Sequence, residues 1–166
     1  ANLENININV STTNTNMHDK LDVETNKDIR FEDNFYVKYY DETIINRFSF
    51  QLLINIWKDI EKSDIIHIQG IFDTPTPISL FYAKLFNKPV LLSPRGSLGI
   101  WCIGNGSKFK TIWLNYLLKP LVKNINWHAT AQQEKDEILS IYPDAKVEII
   151  PNGIEYDKFQ KSNLLS

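Results

Sequence analysis

The segment LLSPRGSLGIW, residues 91–101, places an arginine in a short turn directly after an apolar run. Proline and glycine commonly end strands, and arginine favours the surface, so one interpretation of Arg95 is a structural turn residue. The other is a ligand contact, because the guanidinium offers a rigid fork of donors that suits phosphate, carboxylate or vicinal hydroxyl groups. Arginine does not release its proton at neutral pH, so catalysis by Arg95 would consist of charge stabilisation. Gly96 either brings the backbone close to a ligand or only makes the turn.

A histidine and an apolar pair stand in and after the preceding predicted strand, within DIIHIQGIF. His67 has apolar neighbours, so it is either a packing residue at the rim of the core or a ligand contact. Gly70 ends the strand, and Ile71 and Phe72 follow it. These two side chains either pack at the start of the next helix or provide an apolar surface for a ligand.

Aromatic and basic residues accompany each other over residues 101–123. The aromatic residues are Trp101, Phe109 and Trp113, and the lysines are Lys108, Lys110, Lys119 and Lys123. Tryptophan with lysine at one edge is typical of helices that contact a membrane surface. The same helix must also face the core, and we expect three of its residues to be buried: Ile112, Leu117 and Val122. Membrane-surface contact is therefore one alternative, and ordinary packing is the other.

An alternation of strand and helix patterns positions these residues. The predicted strands span residues 6–13, 34–40, 64–70, 89–93, 126–130 and 145–151, and the predicted helices span 43–62, 75–87, 107–124 and 132–142. Residues 14–33 are charged and lack periodicity, which predicts a long loop. Near-continuous apolar strands that alternate with helices indicate an α/β fold, Rossmann-like, with a mostly parallel sheet and helices on both faces. Ligands bind such sheets at the carboxyl ends of the strands, where Arg95 is predicted to lie.

The composition of the 166 residues suits one globular domain, with 43% hydrophobic residues and a net charge of −2. This charge disfavours nucleic acid as a partner. One cysteine, Cys102, fits a reducing compartment, and no apolar run is long enough to predict a membrane span. His18, His67 and His128 show no ligand spacing, so we expect no metal site. The segment TAQQE predicts a structural helix start, in which Ala131 weakens the cap or Thr130 caps it with Gln133.

Four segments, in order along the chain, resemble one protein family. They are DIIHIQGIF, LLSPRGSLGIW, WHATAQQEKDEI and VEIIPNGIEYDKF. Together they are similar to the amino-terminal, acceptor-side domain of retaining family 4 (group 1) glycosyltransferases with the GT-B fold. The turn with Arg95 and a following Trp resembles the subgroup associated with bacterial surface polysaccharides, in which the same turn often carries His. The resemblance extends from about Ile6 to Phe159 and implies a domain over residues 1–159, with residues 160–166 starting a linker or tail.

The resemblance implies a sugar-acceptor site at the strand ends. The residues that it implies are His67, Gly70, Ile71, Phe72, Arg95, Gly96, Ser97 and Trp101, with Arg95 stabilising charge. The donor would be a nucleotide-diphosphate sugar, held mainly by a second domain, and no metal or other cofactor is implied. The acceptor would be a glycan or lipid-linked, and the location cytoplasmic, at the inner face of the membrane for a lipid-linked acceptor.

The resemblance also implies that two parts of the family's enzyme lie outside this chain. One is the donor-binding domain, with its pair of glutamates, and the other is the first strand with its Gly-rich loop. That strand is central in the usual order, so its absence predicts two unpaired inner sheet edges, and the chain alone would have little or no transfer activity. The alternative is a non-catalytic Rossmann-like module that binds a glycan or a partner protein. A nucleotide-binding regulatory domain is disfavoured, because no Gly-rich phosphate loop is present.

Overall fold

The protein is described by a computed structural model that covers residues 6–16, 19–43, 48–99 and 108–153. Its strands are β1 (Ile8–Thr13), β2 (Thr15–Asn16), β3 (Asp19–Lys20), β4 (Asp28–Glu32), β5 (Phe35–Tyr40), β6 (Ile66–Gln69), β7 (Val90–Ser93), β8 (Asn126–Ala129) and β9 (Lys146–Ile149). Its helices are α1 (Phe50–Lys62), α2 (Pro75–Leu85), α3 (Lys108–Ile112) and α4 (Gln132–Ile141). A π-helical turn, Trp113–Leu118, continues α3.

Four strands form a parallel sheet in the order β6-β7-β8-β9. Helices lie between consecutive strands, as the crossover between parallel strands requires. α2 packs against β6, and α4 packs against β8 and β9. Apolar side chains from this sheet and its helices form a shared core, in which Leu92, Trp127 and Ile138 are fully buried. The architecture is α/β, with a parallel sheet flanked by helices, and is compatible with a Rossmann-like fold.

Local sequence signals account for the starts of α1 and α2. Ser49 caps α1, because its hydroxyl accepts a hydrogen bond from the Leu52 amide at 3.3 Å. The apolar stripe of α1 is buried as the sequence predicts, through Leu52, Ile56 and Ile60. α1 begins at Phe50 rather than near residue 43, and residues 44–47 lie outside the described part. α2 begins with a proline, whose missing N–H costs nothing in a first helical turn.

The remaining long strands form a separate sheet in the order β1-β5-β4. β1 pairs with β5 in parallel, whereas β4 is antiparallel to β5. The prediction of a loop over residues 14–33 is wrong, because β2 and β3 pair with each other and β4 lies at the edge of the sheet. β4 reads DIRFE, and charged residues on an exposed edge strand hide the apolar alternation by which strands are recognised.

Asp59 of α1 joins this second sheet to the helix layer. Its carboxylate accepts hydrogen bonds from Ser11 Oγ at 2.8 Å, Lys38 Nζ at 3.0 Å and Tyr40 Oη at 3.3 Å. Burial, followed by the nearby negative charge of Asp59, raises the pKa of Tyr40 to about 12. Burial opposes the charge of Lys38, but hydrogen bonds to Asp59 and Asp28 outweigh it and raise the pKa of Lys38. The hydroxyl of Tyr40 therefore stays protonated and Lys38 stays charged at neutral pH.

The segment after α3 departs from the predicted helix. The Lys119 amide donates to the Leu114 carbonyl at 3.0 Å, a bond that spans five residues instead of four. Leu114 and Val122 are buried, whereas Ile112 and Leu117 are exposed. The wider turn rotates Leu117 away from the face of Leu114, and Ile112, two positions before Leu114, lies on the opposite side of the helix. The prediction is therefore confirmed for Val122 and wrong for Ile112 and Leu117.

The helix and the turn after it present an exposed apolar strip. Ile112, Tyr116 and Leu117 are exposed beside the exposed Lys119 and Lys123. Such a mixture suits a membrane surface, and contact with one stays a prediction. None of the helices in the described ranges is both long and apolar enough to cross a membrane.

Candidate functional site

Three polar side chains lie along neighbouring parallel strands toward their carboxyl ends. His67 belongs to β6, Ser93 ends β7 and His128 belongs to β8. Ser93 Oγ lies 2.8 Å from His67 Nε2 and 2.8 Å from His128 Nδ1. His128 Nε2 in turn lies 2.7 Å from the carbonyl oxygen of Ile150, which follows β9. These four residues form one hydrogen-bonded series across the sheet, called here the histidine–serine chain.

The Ile150 carbonyl oxygen, at the end of the histidine–serine chain, determines which atom donates and which accepts in each of the other bonds. A carbonyl oxygen only accepts, so His128 Nε2 carries a hydrogen, and in the neutral ring His128 Nδ1 is an acceptor. The Ser93 hydroxyl therefore donates to His128 Nδ1, and its oxygen accepts from His67 Nε2–H. This hydrogen-bond geometry assigns the tautomer of both rings. In the neutral ring of His67, Nδ1 is consequently the atom that can accept a further hydrogen bond.

The surroundings of the histidine–serine chain keep His67 neutral. Partial burial of the ring, followed by the positive charge of Arg95, lowers the pKa of His67. A neutral imidazole can accept a hydrogen bond or a proton from a hydroxyl group, which an imidazolium cannot. His67 is exposed, whereas Ser93 has 1% of its surface exposed. Ser93 therefore positions the two rings and does not reach a ligand as a nucleophile.

Arg95 occupies an unusual backbone conformation beside this chain. Its φ is 56°, in the left-handed region, where the other non-glycine residues of the described part are all asparagines. The left-handed region costs a long side chain roughly 1 kcal/mol or more. The Arg95 side chain is exposed, and its Nη1 donates to Asn152 Oδ1 at 2.9 Å. The turn thus holds a guanidinium at the carboxyl edge of the sheet, next to the residues that follow β9.

Glu134 of α4 holds the turn in place through hydrogen bonds. Its Oε1 accepts from the Gly96 amide at 2.8 Å, and its Oε2 accepts from the amide and the hydroxyl of Thr130 at 2.7 and 2.8 Å. Burial tends to raise the pKa of Glu134, but these bonds outweigh it, so the pKa is lowered and the carboxylate stays charged. The structural role predicted for TAQQE is borne out, although Thr130 pairs with Glu134 rather than Gln133, and Ala131 makes no side-chain cap.

The segment Gly70–Phe72 lies at the same edge. Gly70 has a φ of 87°, in the left-handed region that favours glycine, and a Cβ there would meet the Asp73 carboxylate. Ile71 is fully buried in the core, and its side chain has no surface to offer a ligand in this structure. Phe72 is half-buried, with Lys110 Nζ 5.0 Å from its ring centroid. The predicted roles of Gly70 and Phe72 in ligand binding stay predictions.

The other predicted site residues divide between the turn and the segment beyond it. Gly96 is exposed with a φ of 73°, which its lack of a side chain permits. The Ser97 hydroxyl donates to the Pro94 carbonyl and closes the turn. Trp101 lies outside the described residues. The structure therefore brings together His67, Arg95 and the turn, with Gly70 at the next strand end.

Three residues of this site are not identified by the sequence patterns, because no spacing motif connects them. Ser93 and His128 are separated by 35 positions, and Arg95 and Asn152 by 57. Ser93 and His128 meet because β7 and β8 are neighbours, whereas Arg95 reaches Asn152 past the end of β8, which lies between β7 and β9. Their shared position at or just after a predicted strand end is the signal that could have identified Ser93, His128 and Asn152, because those ends meet at one sheet edge.

The fold and this edge define the class of protein: an α/β domain with a neutral histidine and a fixed arginine at the carboxyl end of a parallel sheet. Within the ranges that the structure describes, no group of three or more His, Cys, Asp or Glu side chains could hold a metal ion. Comparison of the chain with models of protein families, with curated proteins and with solved structures found no match.

Proposed function

We propose that this chain is the acceptor-binding domain of a glycosyltransferase that moves a sugar, with retention, from a nucleotide-sugar donor to a glycan or lipid-linked acceptor. The observation that carries the proposal is Arg95, which keeps a costly left-handed backbone at the edge where such folds bind ligands. A turn that served only to reverse the chain would be cheaper with Gly or Asn at this position.

The chemistry of the edge suits a ligand rich in hydroxyl groups. Arg95 supplies several donors on a fixed fork, and His67 Nδ1 supplies an acceptor in a ring that stays neutral. A hydroxyl group can use both, because it donates to nitrogen while it accepts from a guanidinium. In the transfer step, Arg95 would stabilise negative charge as the nucleotide leaves, and it would not take a proton.

Saturation-transfer NMR of the 166-residue chain tests the proposal. The probes are methyl glycosides of glucose, galactose, mannose and N-acetylglucosamine, and uridine-diphosphate glucose represents the donor. We expect saturation of at least one glycoside, its loss in Arg95→Gly and its retention in Arg30→Ala. Arg95→Gly removes the guanidinium without backbone strain, and Arg30 is an exposed arginine of β4, a strand of the other sheet. Absence of saturation in every glycoside, or equal saturation in Arg95→Gly, would refute the proposal.

A non-catalytic glycan-binding module is the second candidate, and Glu134 favours it. This carboxylate lies at the edge, but its two oxygens accept hydrogen bonds from Gly96 and Thr130, so it is not available as a base. The mass of the native polypeptide in the source cell separates the two candidates. A mass about twice that of the chain fits a two-domain transferase of the GT-B type, whereas a native chain of this size favours the module.

A further inference from the structure

The histidine–serine chain has one end open to solvent and one end closed by the backbone. His67 is exposed, and its Nδ1 is the atom that can accept from a group outside the protein. His128 is 8% exposed, and its Nε2–H donates to the Ile150 carbonyl at 2.7 Å. Ser93 lies between the two rings, with its Oγ 2.8 Å from each. A proton from a bound ligand therefore enters this series at His67.

Every bond between the two rings can reverse its direction. When His67 takes a proton on Nδ1, its Nε2 hydrogen can move to the Ser93 oxygen while the Ser93 hydrogen moves to His128 Nδ1. The serine gives up one hydrogen as it gains another, so no charge develops on its oxygen. His128 becomes an imidazolium, which donates from both nitrogens, and its bond to the Ile150 carbonyl is kept. His67 is then neutral again, with its hydrogen on Nδ1 instead of Nε2.

Arg95 makes the open end of the series unfavourable for a positive charge. Partial burial of the ring and then the charge of Arg95 lower the pKa of His67. The guanidinium keeps its proton at neutral pH, and its Nη1 donates to Asn152 Oδ1 at 2.9 Å, so this cation stays beside the ring. If His67 acted alone, it would have to hold an abstracted proton next to this cation, which would make it a weak base.

Glu134 makes the inner end favourable for the same charge. Its side chain is 6% exposed. Burial raises the pKa of Glu134, but hydrogen bonds from Thr130 and Gly96 and, to a smaller extent, a positive charge on His128 lower it. The attraction is mutual, so the carboxylate favours an imidazolium at His128. The two imidazole centroids are 6.1 Å apart, and the opposite charges of Arg95 and Glu134 therefore act at the two ends of a short path.

We propose that the histidine–serine chain is a proton relay, in which His67 receives the proton of a bound hydroxyl group and His128 holds it. His67 is the member that meets the ligand, and Ser93 and His128 act through it. The hydrogen-bond geometry and the two opposite charges carry this inference. It adds to the site a base that is buried behind the residue in contact with the ligand.

The catalytic use of the relay rests on the proposed function. In the transfer step, the oxygen of the acceptor hydroxyl forms a bond to the anomeric carbon, and the bond from that carbon to the phosphate oxygen of the nucleotide breaks. The hydroxyl proton passes to His67 Nδ1 and, through Ser93, to His128 Nδ1. After the product leaves, the proton returns along the same path and is released to water from His67.

Imidazole ¹⁵N spectra of the ligand-free chain test the relay, measured from about pH 8 to about pH 5, on either side of the ordinary pKa of histidine. At the alkaline end we expect hydrogen on Nε2 of both rings. When the pair binds its first proton, we expect hydrogen on both nitrogens of His128 and on Nδ1, instead of Nε2, of His67. The charge should favour His128 over His67 by at least about tenfold, since opposite charges act on the two rings.

Three variants separate the relay from a purely structural hydrogen-bond series. Ser93→Ala breaks the path, so the His67 hydrogen should no longer move to Nδ1 when His128 becomes charged. Arg95→Gly keeps the path but removes the cation at the open end, so the preference for His128 should decrease. Arg30→Ala is the matched control, because Arg30 is an exposed arginine of the other sheet, and it should leave the preference unchanged.

Two results would overturn the relay. One is a first proton that stays on His67 with the Nε2 hydrogen in place. The other is the same movement of the His67 hydrogen in Ser93→Ala as in the wild type. If Ser93→Ala does not fold, an unchanged preference in Arg95→Gly overturns the relay instead. These spectra contain no glycoside, so a relay without glycoside saturation refutes the proposed function alone, and saturation without the relay refutes this inference alone.

Discussion

Replacement of Ser93 by alanine tests the donor and acceptor assignment of the histidine–serine chain. The Ser93 hydroxyl donates to His128 Nδ1 and accepts from His67 Nε2, at 2.8 Å in both cases. Ser93→Ala removes both bonds at once and leaves the surrounding apolar packing nearly intact, because only one oxygen atom is lost.

The two histidines should respond differently to the loss of the Ser93 hydroxyl, and the difference determines how much unfolding free energy is lost. His128 is 8% exposed, so its Nδ1 loses its partner inside the protein, whereas the exposed His67 can replace Ser93 with water. One buried acceptor without a partner costs about 1–3 kcal/mol of unfolding free energy. In a domain of this length, that corresponds to a decrease in Tm of about 2–12 °C.

Thermal unfolding followed by circular dichroism measures this loss, with Ser140→Ala as the control. The Ser140 hydroxyl is exposed and bonds to the nearby Glu137 carbonyl, so its removal should change stability by less than about 0.5 kcal/mol. Long-range ¹H–¹⁵N spectra of the wild type should find hydrogen on Nε2 of both His67 and His128. A Ser93→Ala protein as stable as the wild type, or a hydrogen on Nδ1 of neutral His128, would refute the assignment.

Two further perturbations address the same edge. Because burial and Arg95 lower the pKa of His67, the unfolded chain binds this proton more readily. The unfolding free energy of the protein, measured with urea, should therefore fall as the pH drops below about 6.5. His67→Gln should lose this part of the slope, and an unchanged slope would contradict the shift. Glu134→Gln replaces one acceptor oxygen by an NH₂ group, although Gly96 and Thr130 both donate to this side chain. We expect the unfolding free energy to fall by about 1–3 kcal/mol and the Gly96 amide to exchange faster. An unaltered exchange rate would contradict the role of Glu134 in holding the turn.

The parallel sheet could be predicted from the sequence because its signals are local. β6 to β9 are short segments that each carry buried apolar residues, and helices separate them along the chain. Two other elements depend on contacts that no local window contains. β4 is a strand because β5 pairs with it, and the π-helical turn shifts the side chain of Leu117 away from the core that a regular helix would give it.

The candidate site was predictable only in outline. The position of Arg95 after a strand marks the correct edge, and His67 lies there too. The partners that give these residues their properties, Ser93, His128 and Asn152, follow from strand register and could not be read from spacing. The full burial of Ile71 likewise depends on tertiary packing, since Trp113 Nε1 reaches across 42 positions to its carbonyl oxygen.

The position of α1 also has a consequence for how cooperatively this domain unfolds. α1 packs against β1 of one sheet and against α2, which covers the other, and Asp59 bonds it to Ser11, Lys38 and Tyr40. Fraying of this helix therefore exposes the interior of both halves together. The two sheets share no ladder in the described residues, so α1 couples the unfolding of one sheet to that of the other.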